Sequence, residues 1–163
     1  MITLIKRLDG LPLAIMIAGS YMQQTGISPS KYLQLYSQSW TDLQQNSSPH
    51  RYYSNGDLVG TWMVSYQEIQ RTTPSAAKLL LLLAHYDNQD IWYDLVHQGL
   101  QDDGSPSWLL EVATRQVDFF HAMKALLGYS LIQSKQVSDS YSLHPMVQDW
   151  CQEYMQDEDV KDR

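Results

Sequence analysis

The chain holds one cysteine, Cys151, among its 163 residues. One thiol forms no intramolecular disulfide and no cysteine metal cluster. That scarcity fits a reducing, intracellular setting, and a cytoplasmic location is expected. Long apolar runs are missing too. The strongest, 11–18 and 79–84, fall well short of the ~20 residues that span a bilayer. Lys6 and Arg7 ahead of 11–18 faintly imitate a signal peptide. Asp9, Gly10 and Pro12 interrupt that junction, however, and an amphipathic pattern follows, so no membrane association is expected. No stretch reads Gly-x-x-x-x-Gly-Lys-Ser/Thr, so the loop that cradles nucleotide phosphates is lacking. His85, His97 and His121 lie on or beside apolar helix faces and read as core or boundary histidines, His50 lies in the linker, and no His-Glu-x-x-His spacing points to a metal site. Ser65, Ser130 and Ser142 lack a nucleophile elbow, and no catalytic residue or enzyme activity is expected.

Positive charge is scarce in one half. Residues 1–80 carry six Lys/Arg against four Asp/Glu, a net of +2, whereas 81–163 carry five against fourteen, a net of −9. The acidic half should repel phosphate backbones, so no nucleic-acid partner is expected.

What is present is a globular composition with many amphipathic aromatics: eleven tyrosines and five tryptophans against two phenylalanines. Such side chains suit half-buried seams with polar tips at the edge. From Gly10 onward, Leu11, Ile15, Ala18 and Met22 fall on one helical stripe, with Leu13, Ile17 and Tyr21 beside it. Pro12 is placed for a first helical turn and Gly26 for a stop. Ser28-Pro29 opens a second helix with Tyr32, Leu33, Tyr36, Trp40 and Leu43 on one face. Residues 46–57 show no period and read as a linker. A third helix spans about 58–71, with Leu58, Trp62, Ser65 or Tyr66, and Ile69 in register. Thr73-Pro74 starts a helix apolar nearly all round over 79–84, which marks it as central. Asp90 is placed to cap a short helix over 91–97 that buries Trp92 and Leu95. After a loop at 99–106 come a helical turn at 107–114 and a helix near 115–127. The latter spaces Val117, Phe120, Lys124 and Leu127 at three and four and stops at Gly128. Period two then takes over at 129–134 and 141–143 around a turn at 137–140, which is a β-hairpin. His144-Pro145 opens a last helix with Val147, Trp150 or Cys151, and Tyr154 on one face. Helices, then one hairpin, then a helix is a winged-helix order, and a lone hairpin needs helices to cover it.

Three segments in this order resemble one family. Leu8-Asp9-Gly10-Leu11-Pro12-Leu13-Ala14-Ile15 resembles the Gly-Leu-Pro-Leu motif in the helical domain of NB-ARC proteins of the STAND class. Thr61-Trp62-Met63-Val64-Ser65 with Ser75-Ala76-Ala77-Lys78-Leu79-Leu80 looks like the opening of the winged-helix region in fungal, NLR-like members. Tyr129-Ser130-Leu131-Ile132, leading to Tyr141-Ser142-Leu143-His144-Pro145-Met146-Val147-Gln148-Asp149-Trp150, resembles their variant of the Met-His-Asp motif. The resemblance covers about residues 4–156. It implies a mainly α protein: a helical domain portion over 1–47, a linker over 48–57, a winged-helix domain over 58–156 and a solvated acidic tail over 157–163.

In that family the motif proline lies near the adenine and the motif histidine reaches the β-phosphate of ADP. By resemblance these roles fall to Pro12 and His144. A proline ring offers a base an apolar face, and a histidine at a helix start donates to an anionic oxygen. The plainer alternatives are a helix-starting proline and a turn histidine. Leu143 replaces the motif methionine and Pro145 its aspartate, so only the histidine carries over. The apolar run 79–84 with Asp87 superficially imitates a magnesium-holding strand, but its proline start and leucine–alanine content favour a core helix. The phosphate-binding domain is therefore expected to be absent from this chain. On that expectation Met1 would open a truncated product, a mis-split frame or a recombinant fragment. The resemblance implies a nucleotide-sensing regulatory module in signal transduction and innate immunity. ADP or ATP is implied only in a complete protein, with none for this chain alone. The implied partners are an upstream nucleotide-binding domain and a downstream repeat domain. Two alternatives stand: a helical protein-interaction domain with no nucleotide role, and a winged-helix DNA binder. The second has only Arg115 and Lys124 on its helix, offset by Asp118, and Lys135 opposite Asp139 on its wing.

Overall fold

Two consecutive left-handed residues, Asp9 (φ 51°) and Gly10 (φ 66°), make the first turn of the chain. They close a helix α1 (Ile2–Arg7) that the helical stripes starting at Gly10 had not anticipated. Six residues rich in β-branched side chains hold too little period to read. The helix exists because Leu4 and Leu8 are buried. The Gly10 N–H donates to the Ile5 carbonyl (2.9 Å), an end that glycine makes without a Cβ penalty. The computed structural model describes residues 2–46, 56–100 and 104–161, which are mainly helical with one two-stranded antiparallel sheet. The chain divides into two units, Met1–Glu68 and Ile69–Arg163.

In the first unit, α2 (Pro12–Thr25) begins at its proline and ends on Gly26 in the left-handed region (φ 70°). Its buried arc is Ala14, Ile17, Ala18 and Tyr21, while Leu11, Ile15 and Met22 are half-buried. Nearly half the circumference is apolar, so the period alone does not choose the arc. The small Ala14 and Ala18 are what turn inward. Helix α3 (Pro29–Asn46) is capped by Ser28, whose Oγ accepts the Lys31 N–H (3.3 Å). Tyr32 and Tyr36 are fully buried, with Tyr32 edge-on to Tyr21 at 5.5 Å. The Trp40 and Leu43 side chains lie outside the described residues. Of the linker 48–57, residues 48–55 also lie outside them, and 56–57 already belong to α4 (Gly56–Thr72). Leu58, Trp62, Ser65, Tyr66 and Ile69 are buried in the register expected. The division between the units falls within this helix, at Glu68/Ile69.

In the second unit, α5 (Pro74–Leu83) carries Ala76, Ala77, Leu79, Leu80 and Leu83 as its buried residues and packs against the helices that follow. The short helix is α6 (Tyr93–His97), and here three expectations are corrected. Ile91 is not helical but pairs with Tyr141, each N–H meeting the other's carbonyl at 2.9 and 2.7 Å. Asp90 is not its cap; the carboxylate instead accepts from Lys135 Nζ (3.2 Å) and Ser140 Oγ (3.1 Å). Trp92 is 44% exposed and Leu95 half-buried, while Ile91 and Val96 go inside. A short apolar stretch serves a strand rung as well as a helix, and pairing with Tyr141 decides it.

Helices α7 (Ser107–Ala113) and α8 (Gln116–Gly128) follow; residues 101–103 of the loop before them lie outside the described residues. The buried face of α8 is Phe119, Ala122, Met123 and Leu126. The stripe spaced in the sequence, Val117, Phe120, Lys124 and Leu127, is the other one: Val117 is 48% and Phe120 44% exposed. Both stripes satisfy helical spacing, and only packing on α5 and α7 separates them. The hairpin pairs β1 (Ile132–Lys135) with β2 (Ser140–Leu143) in the register Ile132↔Leu143 to Lys135↔Ser140. It starts later than the alternation at Tyr129 implies, because Tyr129 ends α8 and Ser130 turns at φ 56°. Helix α9 (Pro145–Lys161) buries Val147, Trp150 and Cys151. The side chain of Tyr154 lies outside the described residues, as do 162–163; 157–161 continue the helix.

Candidate functional site

The end of α5 leaves backbone carbonyls that no further helical turn satisfies. Two glutamines one turn apart on α9 fill them. Gln148 Nε2 donates to the carbonyls of Ala84 (3.0 Å) and Tyr86 (2.9 Å), and Gln152 Nε2 donates to Ala84 as well (2.6 Å). The other end of the Gln148 amide, Oε1, accepts from Asn88 Nδ2 at 2.8 Å. The Asn88 carbonyl in turn accepts the Leu143 N–H (2.8 Å). One loop thus grips both sides of the junction between β2 and α9.

His144 sits at that junction, held by Leu143 before it and Gln148 after it. Its side chain is exposed, and its Nδ1 accepts the Met146 N–H at 3.2 Å. Its carbonyl accepts from Val147 (2.9 Å) and Gln148 (3.0 Å). A neutral imidazole that accepts at Nδ1 carries its proton on Nε2. The ring therefore faces solvent as a donor. Pro145 has no N–H, and the N–H groups of Met146, Val147 and Gln148 are already engaged. An anion here would meet the imidazole and the dipole of α9, not a free backbone cradle.

Pro12 is exposed at the first position of α2, following Leu11 in extended conformation. The Asp9–Gly10 turn sets its direction. Pro12 and His144 belong to different units, and each is placed by its own surroundings.

The remaining histidines do other things. His97 Nδ1 lies 2.9 Å from the Ala113 carbonyl, and its ring stacks on Tyr93 at 5.0 Å. His85 and His121 are exposed, and His50 lies outside the described residues. Among the described residues no group of three His, Cys, Asp or Glu could hold a metal. Asp87 accepts the Gln89 N–H (2.9 Å), a local turn after a core helix. Burial pushes the Cys151 thiol well above its ordinary range, which keeps it protonated and unreactive. No described helix is long and apolar enough to cross a membrane.

Asn88 and Gln148, which position His144, were not singled out from the sequence. Gln148 lies inside the His144 motif, but nothing local tells that its amide reaches back sixty residues to Asn88.

No solved structure matches the chain. Over 154 residues it is 27% identical to a "Nucleotide-binding leucine-rich repeat (NLR)-like protein" of Hyaloscypha variabilis. That match takes in 89% of this chain and 14% of the relative, so the chain spans about a seventh of the relative's length. A larger multidomain setting is consistent with that disparity. Residues 67–160, more than half of the chain, match the family described as "Domain of unknown function (DUF7779)", which contains the second unit from the end of α4 through α9. The chain therefore belongs to the DUF7779 family.

Proposed function

We propose that the chain is the regulatory part of an NLR-like signalling NTPase of the NB-ARC/STAND type, one that packs on an ATP/ADP-binding domain and transmits its nucleotide state. In this reading Ile91 and the hairpin form the small sheet of a winged helix, and the first unit is the end of the helical domain. The observation that carries it is His144: an exposed imidazole, its Nδ1 engaged by Met146 and its Nε2–H free to donate, at the start of α9. The likeness to the Hyaloscypha NLR-like protein supplies the setting. A switch of this kind needs a contact made in one state only, and a histidine donating to the terminal phosphate of ADP would be such a contact. The nucleotide itself would be held by the separate domain, with Pro12 offering its ring to the base. The chain alone would neither hydrolyse ATP nor bind ADP tightly.

The test is association of this chain with the nucleotide-binding region of the Hyaloscypha relative, measured in ADP and in a non-hydrolysable ATP analogue. Tighter association in ADP is expected, and His144→Ala should erase roughly a tenfold preference, the worth of one hydrogen bond to a charged group. Association indifferent to the nucleotide would overturn the proposal, as would micromolar ADP binding by the chain alone. DNA binding finds less support. Arg115 is held by Asp118 in two bonds (2.6 and 2.9 Å) and Lys135 by Asp90, so two of the three cations on the helix and hairpin are already engaged.

A further inference from the structure

The exposed aromatics of the second unit are not scattered. Trp92 at the start of α6 and Phe120 on α8 line one depression of about 640 Å³, together with Tyr93, Tyr141 and the carboxylate-bearing Asp94 and Asp139. A volume of this order is that of a side-chain or small-ligand site. Two of its walls are held firmly. The Tyr93 hydroxyl donates to the Thr114 carbonyl (3.0 Å), and its ring meets Phe119 edge-on at 5.7 Å. Tyr141 packs on the same Phe119 ring at 6.2 Å and is tied through its backbone to Ile91. The Tyr93 and Tyr141 faces are therefore set before anything binds.

We propose that this depression takes a cationic side chain, arginine foremost, from a basic segment of a partner protein. Asp94 and Asp139 are exposed and make no ion pair among the described residues. Two cations of α8 and the hairpin are occupied elsewhere, Arg115 by Asp118 and Lys135 by Asp90. Aromatic faces beside unpaired carboxylates recognise a guanidinium twice, through the ring quadrupoles and through charge-assisted hydrogen bonds. The same carboxylates repel phosphate. A second copy of this chain, net −7, brings the wrong sign. The proposal is independent of any nucleotide role for His144.

The full chain is titrated by calorimetry at low salt with a glycine–serine peptide bearing arginines and with its citrulline counterpart. Binding of the arginine peptide is expected, with the citrulline peptide weaker by about tenfold or more. Asp94→Asn with Asp139→Asn, and separately Trp92→Ala, should each weaken the arginine peptide by about tenfold. These side chains are exposed, so an unchanged circular-dichroism melt will show that the variants fold. No binding of the arginine peptide, equal binding of the citrulline peptide, or unchanged affinity in the folded variants would each overturn the proposal. Self-association abolished by Phe120→Ala would overturn it too, by showing that a second copy fills the depression.

Discussion

The ring edge of Tyr36 lies against the backbone of Gly60 so closely that a Cβ at residue 60 would stand 2.9 Å from Tyr36 Cε2. Tyr36 is fully buried, and the Arg7 guanidinium lies 5.4 Å above its ring. The ring has nowhere to retreat without disturbing α1. Gly60→Val gains a few tenths of a kcal/mol in helix propensity, but overpacking of this kind costs about 1–3 kcal/mol. The net expectation is a loss, read as a lower urea midpoint at unchanged slope. A stability equal to the parent would mean that the contact between α3 and α4 is looser than described.

Gln148 makes three hydrogen bonds with one amide, to Ala84, Tyr86 and Asn88. Gln148→Ala strands the Tyr86 carbonyl and the Asn88 amide, and leaves Ala84 to Gln152 alone. The cost is about 1–3 kcal/mol for groups left partly buried and unpaired. A fall of several degrees in the melting temperature is the measurement. Gln148→Glu should be worse near neutral pH, because a carboxylate would face two carbonyls, and should recover on acidification as it protonates.

Burial raises the pKa of the Tyr32 phenol far above its ordinary 10.0, outweighing the opposing influence of Thr61. It likewise raises the Cys151 thiol above its ordinary 9.0. In both cases the folded state keeps a proton that the unfolded chain releases. Their contribution to stability is therefore whole at neutral pH and is lost as pH climbs past the unfolded values. Each such group steepens the decline by about 1.4 kcal/mol per pH unit. Denaturant titrations from pH 8 to 11 should show the fall beginning near 9, and Tyr32→Phe should flatten the part above 10.

Ile91 is fully buried and forms the rung between the segment after α5 and β2. Ile91→Ala removes that filling beneath the hairpin and should cost about 2–5 kcal/mol. Amide exchange at Tyr141, whose N–H donates to Ile91, reports it locally. Exchange as slow as in the parent would mean that the hairpin needs no third rung.

Much of the helical architecture is legible along the chain because its punctuation is local. Ser28-Pro29, Thr73-Pro74 and Pro145 start helices, and Gly26 ends one, through φ angles and missing N–H groups that need no distant partner. The change of period after Gly128 marks the hairpin for the same reason, since side chains alternate along any strand. The Pro12 and His144 motifs are visible as residues, and the exposed setting of each belongs to the folded chain.

Local pattern alone settled where α2, α3, α5 and α9 begin, because backbone conformation at a proline start answers to neighbours in the chain. It did not settle which face of α8 is buried, since Phe119 and Phe120 differ by one residue and both stripes keep helical spacing. Nor did it settle that Ile91 is a strand rung, that Asp90 serves Lys135 and Ser140, or that Gln148 anchors the turn carrying His144. Those outcomes were decided by tertiary packing, because burial and hydrogen bonding between residues tens of positions apart depend on what else the fold brings alongside.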